Sequence, residues 1–340
     1  MSWRAVPKAN RTAVRSTEGG PVSAAPRRSQ ASAHLSPQHE SSLTSEAVYP
    51  VAVIGVGNMG GAMAARLLER GWPVHVCDCL PERAQTLAAS GATPHTLAAD
   101  AARAAKVSII CVVDAGQSRD VLFGSGGVAD AMHLGHTVML CPTMGPGDVE
   151  AITLQLRPFG LHLIDAPMSG GPVRAREGGM SLMLAGPQTV IERHRDLIET
   201  LSNKVFRISE KPGDGARTKL VNNLAAAINL VGAAEVLALA QRMGLNPATT
   251  LDVIAQSSGQ SWIGSDRMRR AINGDLAPRA HMTLLEKDTR LALQAAQEAG
   301  FDGPLGARAH EVFAQASAGG LADLDDAALL QWLSRPSASA

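Results

Sequence analysis

Three glycines, Gly55, Gly57 and Gly60, stand between the apolar run VAVI and the helically spaced run GAMAARLLERG. A strand that enters such a turn and leaves as a helix fits a Gly-x-Gly-x-x-Gly dinucleotide turn. Gly55 permits the tight turn, Gly57 lets a pyrophosphate approach the backbone, and Gly60 lets the helix sit close on the strand. The helix start then offers unpaired amides and partial positive charge to phosphate. Asp78 follows Gly60 by 18 residues, at the end of a second strand PVHVCD. A carboxylate there accepts ribose hydroxyls and repels a 2′-phosphate, which favours NAD; Arg83 nearby leaves NADP possible. The bland alternative is a glycine turn without a ligand and Asp78 as a strand cap.

Downstream the chain alternates strand and helix signals. PERAQTLAASG and TLAADAARAA read as helices, KVSIICVV and HTVMLCP as strands, and GDVEAITLQLRPFG as a helix. LHLIDAP, SLMLAG and KVFRI read as further strands. This predicts α/β architecture with a mostly parallel sheet, an N-terminal Rossmann domain over residues 47–212. The pattern changes at Gly215. From there to Met243 no proline and no strand signal occurs, and a helix of that length spans about 45 Å, enough to link two domains. Everything after it is helical in period, so residues 213–340 are expected to form an all-helical C-terminal domain joined through the long helix. Residues 1–46, rich in Arg, Ser, Ala and Pro, lack apolar periodicity and read as a disordered extension. A transit peptide, a misplaced start and a functionless tail all fit them.

Lys plus Arg is 31 and Asp plus Glu is 31, so no basic excess points to nucleic acid. No apolar run is read as reaching the length of a membrane span. Cys77, Cys79, Cys111 and Cys141 lack metal-ligand spacing, and no metal site is expected. They read as small core residues of a protein in the reducing cytoplasm, with Cys77 and Cys79 on one face of a strand.

Four ordered blocks carry a resemblance. GVGNMGGAMAARL (55–67) resembles the β-hydroxyacid dehydrogenase signature G-x-G-x-M-G-x-x-M-A-x-x-L, which adds Asn58 and Met59 to the cofactor turn. DAPMSGGPVRAREGGMSLMLAG (165–186) resembles the family's substrate-binding block, GDGARTKLVNNL (213–224) its catalytic block, and EKDTRLAL (286–293) a cofactor block. Together they span roughly residues 50–320. The resemblance implies that Lys219 is the general acid/base and that Asn223 orients the substrate. It implies that Ser169, Gly170 and Gly171, in a loop, bind the substrate carboxylate. It further implies that Val112 and Val113 flank the adenosine side, that Thr143 contacts the cofactor ribose, and that Lys287 stands near the nicotinamide, supported by Asp288. Thr289 and Arg290 depart from the family's usual Leu-Gly.

The residue chemistry alone leaves Lys219 open between a solvated helix lysine and an acid/base tuned by burial. With the resemblance, the expectation is NAD-dependent oxidation of the 3-hydroxyl of a short hydroxy acid. The stretch GQSWIGSDRMRRAINGD (259–275) resembles the L-threonate branch, while Asn222-Asn223 looks more like the 3-hydroxyisobutyrate branch. An NAD(P)H-dependent semialdehyde reductase (tartronate or succinic type) is the alternative, and a non-catalytic binding relative a second one, which would be expected to lack Lys219. A homodimer or homotetramer is expected.

Overall fold

The computed structural model describes residues 48–335; the extension expected over residues 1–46 lies outside them. Nine short strands form one sheet: β1 (Val51–Ile54), β2 (Val74–Cys77), β3 (Thr93–Pro94), β4 (Val107–Ile110), β5 (Thr137–Leu140), β6 (His162–Asp165), β7 (Met168–Ser169), β8 (Ser181–Ala185) and β9 (Lys204–Ser209). Their order is β3-β2-β1-β4-β5-β6-β8-β7, with β9 pairing β8. The first six are parallel, in the order of a Rossmann sheet. β6 and β7 run antiparallel to β8, so the sheet is mostly parallel. Val51, Val53 and Ile109 are fully buried because both faces are covered by helices, as parallel sheets require.

Eight helices accompany the sheet: α1 (Asn58–Glu69), α2 (Pro81–Ala88), α3 (Ala98–Arg103), α4 (Ala115–Phe123), α5 (Pro146–Leu156), α6 (Gly171–Glu177), α7 (Gln188–Arg193) and α8 (Arg195–Leu201). One face of the sheet joins Met63 and Leu67 of α1 to Met139, Leu182 and Leu184 in a common core. The other joins Leu122, Ile152 and Leu156 to Ile110 and Leu140.

The long apolar run becomes α9 (Asp214–Arg242), 29 residues and about 43 Å. It packs on β6, β8, β9 and α5 at its start and on the helical domain thereafter. That domain consists of α10 (Pro247–Ala255), α11 (Trp262–Ile272), α12 (Met282–Glu298), α13 (Pro304–Ala316) and α14 (Leu329–Leu333). Leu230 and Leu237 of α9 meet Met268, Met282 and Phe313 in its core. The expectation that no run was long enough for a membrane span needs correction. By length and composition α9 qualifies, with a window of mean hydropathy 1.7. Its buried side chains instead join the helical core and the sheet edge.

Two further expectations are corrected. Cys79 lies beyond the end of β2 and is exposed, so it is neither on a strand face with Cys77 nor a core residue. Ser169, Gly170 and Gly171 are not one loop. Ser169 ends β7, Gly171 begins α6, and only Gly170 lies between, at φ +127°.

Candidate functional site

In a parallel sheet every strand delivers the chain to the same edge. Here the turn after β1 carries Gly55–Gly60, β2 leads to Asp78, β4 to Val112 and Val113, β5 to Thr143, and β6 to the segment around Ser169. β1 and β4 are neighbours, and the connections leave them in opposite directions, which is where open α/β sheets place ligands.

The glycine turn is sterically built. Gly55 has φ +88°, and a Cβ on it would lie 2.6 Å from the Cys111 carbonyl oxygen. A Cβ on Gly60 would lie 1.9 Å from the Gly55 oxygen, so that helix α1 can sit on the turn only with glycine there. Gly57 differs. The nearest atom to an added Cβ is Arg83 Nη1 at 3.6 Å, so no protein atom demands glycine there. The space is left for a ligand, and no side chain caps the start of α1 beside it. Asn58 is exposed in that first turn, while Met59 packs back on the core. The turn therefore fits a dinucleotide's pyrophosphate.

Asp78 is more occupied than the sequence suggested. Its Oδ2 accepts from the Val56 amide at 2.7 Å and its Oδ1 from the Leu80 amide at 2.9 Å, with Arg83 Nη1 3.6 Å away. The carboxylate braces the glycine turn itself, and Arg83 reaches over the same turn. Val112 Cγ1 would touch a Cβ on Gly55 at 3.1 Å, and Val113 is half exposed beside it.

On the helical side, Lys219 and Asn223 lie one turn apart on α9 and are buried at 7% and 8% exposure. Asn223 Nδ2 donates to Asp288 Oδ2 of α12 at 2.6 Å, and its Oδ1 accepts from Asn222 Nδ2 at 3.0 Å. Lys287 Nζ stands 2.9 Å from Asp288 Oδ1 and donates to the Thr143 carbonyl at 2.8 Å. Thr143 is thus joined to the helical domain through its backbone. Burial, opposed by the Asp288 carboxylate and reinforced by the Lys287 ammonium, lowers the Lys219 ammonium to a pKa of about 8. Thr289, one of the departures from the family pattern, is fully buried and bonds to the Leu285 and Glu286 carbonyls and to His310.

Ser169 and Gly170 line a cavity of about 390 Å³ with Arg174, Ser181, Met183, Phe206, Ile208, Thr218, Asn222 and Trp262. Lys219 and Asn223 are each the next residue along α9 from Thr218 and Asn222, about 100° round the helix. They face α12 and do not line the cavity. The structure therefore brings Lys219, Asn223, Lys287, Asp288 and Thr143 together, and Ser169 and Gly170 to the adjoining face of the same helix.

Asp165, the first residue of the 165–186 block, has a structural role that the resemblance does not imply. It is buried and accepts from the amides of Gly213 at 2.9 Å and Ala216 at 3.0 Å, and so caps the start of α9. A Cβ on Gly215 would strike its Cγ at 2.9 Å. Replacing Asp165 with Ala strands two buried donors, six and three residues before Lys219. The expected cost is about 1–3 kcal/mol, read as a lower thermal midpoint together with lost turnover; Asp165→Asn, which keeps an acceptor, should lose less. The only sequence hint was an acidic residue at a strand end, 48 positions from its partner.

Two family models cover most of the chain: the NAD binding domain of 6-phosphogluconate dehydrogenase over residues 50–209, and the NAD-binding region of NADP-dependent 3-hydroxyisobutyrate dehydrogenase over residues 213–333. The chain is 37% identical over 281 residues to L-threonate dehydrogenase of Cupriavidus necator, covering 83% of this chain and 95% of that one. It is 32% identical over 280 residues to 2-hydroxy-3-oxopropionate reductase of Escherichia coli, covering 82% and 95%. The crystal structure of a 3-hydroxyisobutyrate dehydrogenase from Salmonella typhimurium superposes with a TM-score of 0.79 at 33% identity, covering 84% and 99%. A glycine turn shaped for a dinucleotide, a buried lysine at the same sheet edge and these matches agree: the chain belongs to the β-hydroxyacid dehydrogenase family, on its L-threonate-like branch, and is an NAD(P)-dependent hydroxyacid oxidoreductase.

Proposed function

We propose that the protein oxidises a short hydroxy acid of the L-threonate or 3-hydroxyisobutyrate type, with Lys219 as the group that takes the hydroxyl proton. The observation that carries this is the buried lysine itself. It sits on the helix linking the two domains, beside the sheet edge of the glycine turn, with its pKa drawn down to about 8. Bound nicotinamide dinucleotide supplies the hydride acceptor. Gly55, Gly57, Asn58, Met59 and Gly60 hold its phosphates, with Asp78, Val112 and Val113 toward the adenosine and Thr143 and Lys287 toward the nicotinamide. Ser169, Gly170 and Gly171 receive the substrate carboxylate. Asn223, fixed by Asp288, orients the carbinol beside Lys219.

The neutral amine accepts the hydroxyl proton during oxidation, and the ammonium returns it during reduction. Since its pKa lies near 8, most of Lys219 is protonated at neutral pH. That favours a second reading under those conditions, reduction of a semialdehyde. NAD is the preferred cofactor because Asp78 stands at the ribose end, and NADP is accepted because Arg83 reaches over the same turn.

The domain division at 212/213 follows the start of α9. One side of α9 leaves Val221, Val236, Leu239 and Met243 exposed, which supports assembly of copies into a homodimer or homotetramer through that side. The exposed free thiol of Cys79 suits the reducing cytoplasm.

The test is a spectrophotometric screen of nicotinamide reduction with L-threonate, 3-hydroxyisobutyrate, D-glycerate and 3-hydroxypropionate, each with NAD and NADP. Turnover of L-threonate or 3-hydroxyisobutyrate with NAD supports the reading. No turnover of any acid, with no reduction of the matching carbonyl compounds, contradicts it.

A further inference from the structure

The cavity beside Lys219 carries a charge that the proposed reaction has not used. Of the residues lining it, Arg174 alone is ionised, and no carboxylate faces it. Arg174 belongs to α6, and its stem folds back over Gly170: a Cβ on that glycine would come within 3.0 Å of Arg174 Cδ. Its guanidinium carbon lies 4.4 Å from the ring centroid of Trp262, the first residue of α11. Among the described residues Arg174 has no ion-pair partner, whereas Arg176 on the same helix pairs with Glu69. A positive group is thus seated between the two domains and preset by an aromatic face, with its charge left over. It lies in contact with the segment proposed to hold the substrate carboxylate.

We infer that Arg174, positioned by Trp262, is a substrate-binding and specificity-determining residue that recognises the carboxylate of a small monoanionic hydroxy acid. The inference rests on the proposed function and goes beyond it, because it names a cation that the Ser169–Gly171 segment lacks. A guanidinium binds a carboxylate through two parallel N–H donors. Stacking on Trp262 limits its freedom beforehand, so less ordering remains on binding. Met183, Phe206 and Ile208 line the apolar side of the cavity, and Ser169, Thr218 and Asn222 supply polar contacts for hydroxyls.

The experiment compares wild type with Arg174→Gln, Arg174→Lys and Trp262→Leu, using L-threonate as the probe. Steady-state kinetics give kcat and KM, and calorimetry gives the affinity of the NADH-saturated enzyme for L-threonate, where no turnover occurs. Arg174→Gln should raise both KM and the dissociation constant about 10- to 100-fold, the loss of a charged hydrogen-bond pair. Its kcat and NADH affinity should stay within about threefold of wild type, because uniform binding is what is lost. Arg174→Lys should fall between, and Trp262→Leu should weaken binding about fivefold through the lost cation–π contact. An unchanged L-threonate affinity in Arg174→Gln, or a fall in kcat at constant KM, overturns the inference while leaving the proposed function standing. Wild type inactive on every acid overturns both.

Discussion

Lys219→Met is expected to lower turnover by about 10²–10⁴-fold while raising the stability of the protein. The two effects share one cause. An ammonium at 7% exposure is held out of water, and its pKa falls from the ordinary lysine value of 10.5 to about 8. The charged form is therefore less favourable in the folded than in the unfolded chain. The penalty is fully present below the folded pKa of about 8. It fades as pH rises toward 10.5, above which both states hold a neutral amine. Its ceiling is about 3 kcal/mol, the lowering converted at about 1.4 kcal/mol per unit. Methionine fills similar volume without charge, so its advantage in a melt should be several degrees at neutral pH and should shrink in alkali. Dinucleotide affinity should hold, since the glycine turn is untouched. A lysine serving only as a solvated helix residue would change neither turnover nor stability in this way.

Gly60→Ala and Gly57→Ala should separate folding from ligand binding. At Gly60 an added Cβ meets the Gly55 carbonyl oxygen at 1.9 Å, and that oxygen is backbone, which cannot rotate aside. Helix α1 must lift from the turn, at a cost above about 3 kcal/mol, and the variant should be poorly folded or insoluble. At Gly57 the nearest atom is the flexible end of Arg83 at 3.6 Å. Gly57→Ala should therefore melt within about 0.5 kcal/mol of wild type yet bind NAD at least about tenfold more weakly, because the methyl group stands where the pyrophosphate approaches the backbone. Differential scanning fluorimetry and NADH fluorescence titration read the two quantities. Equal loss of stability in both variants would remove the argument that Gly57 serves the ligand.

What the sequence disclosed was whatever local pattern controls. The apolar run into Gly55, the alternation of strands and helices, and the uninterrupted stretch ahead of Met243 each depend on neighbours along the chain. The fold followed from them. The glycine–glycine pair after Ser169 looked like a loop because glycine disfavours helices, yet Pro172 at the helix start and the packing of α6 on α1 begin a helix at the second of them, Gly171. Helices α7 and α8 went unread for lack of a clear apolar period, and β3 is only two residues long.

At the site, Lys219 was recognisable from its block, but its burial was not, because α12 arrives from far along the chain. The same holds for Asn223, whose bond to Asp288, 65 residues away, no local pattern announces. Asp78 was legible as a strand-end carboxylate, but its second task was not: Oδ2 also braces the glycine turn through the Val56 amide, and Oδ1 holds the Leu80 amide. Arg174 and Trp262 carried no periodic signal, and only the tertiary structure stacks them.

The central claim is that the ionisation of Lys219 gates the chemistry, and the pH dependence of kcat/KM tests it most directly. For oxidation, log kcat/KM should rise with unit slope and level off near pH 8. For reduction of the corresponding carbonyl compound it should be level at low pH and fall above the same point, since one direction needs the amine and the other the ammonium. The residual activity of Lys219→Met should lack this ionisation. A flat profile between about pH 6 and 9, or an inflection that survives in Lys219→Met, would contradict the account.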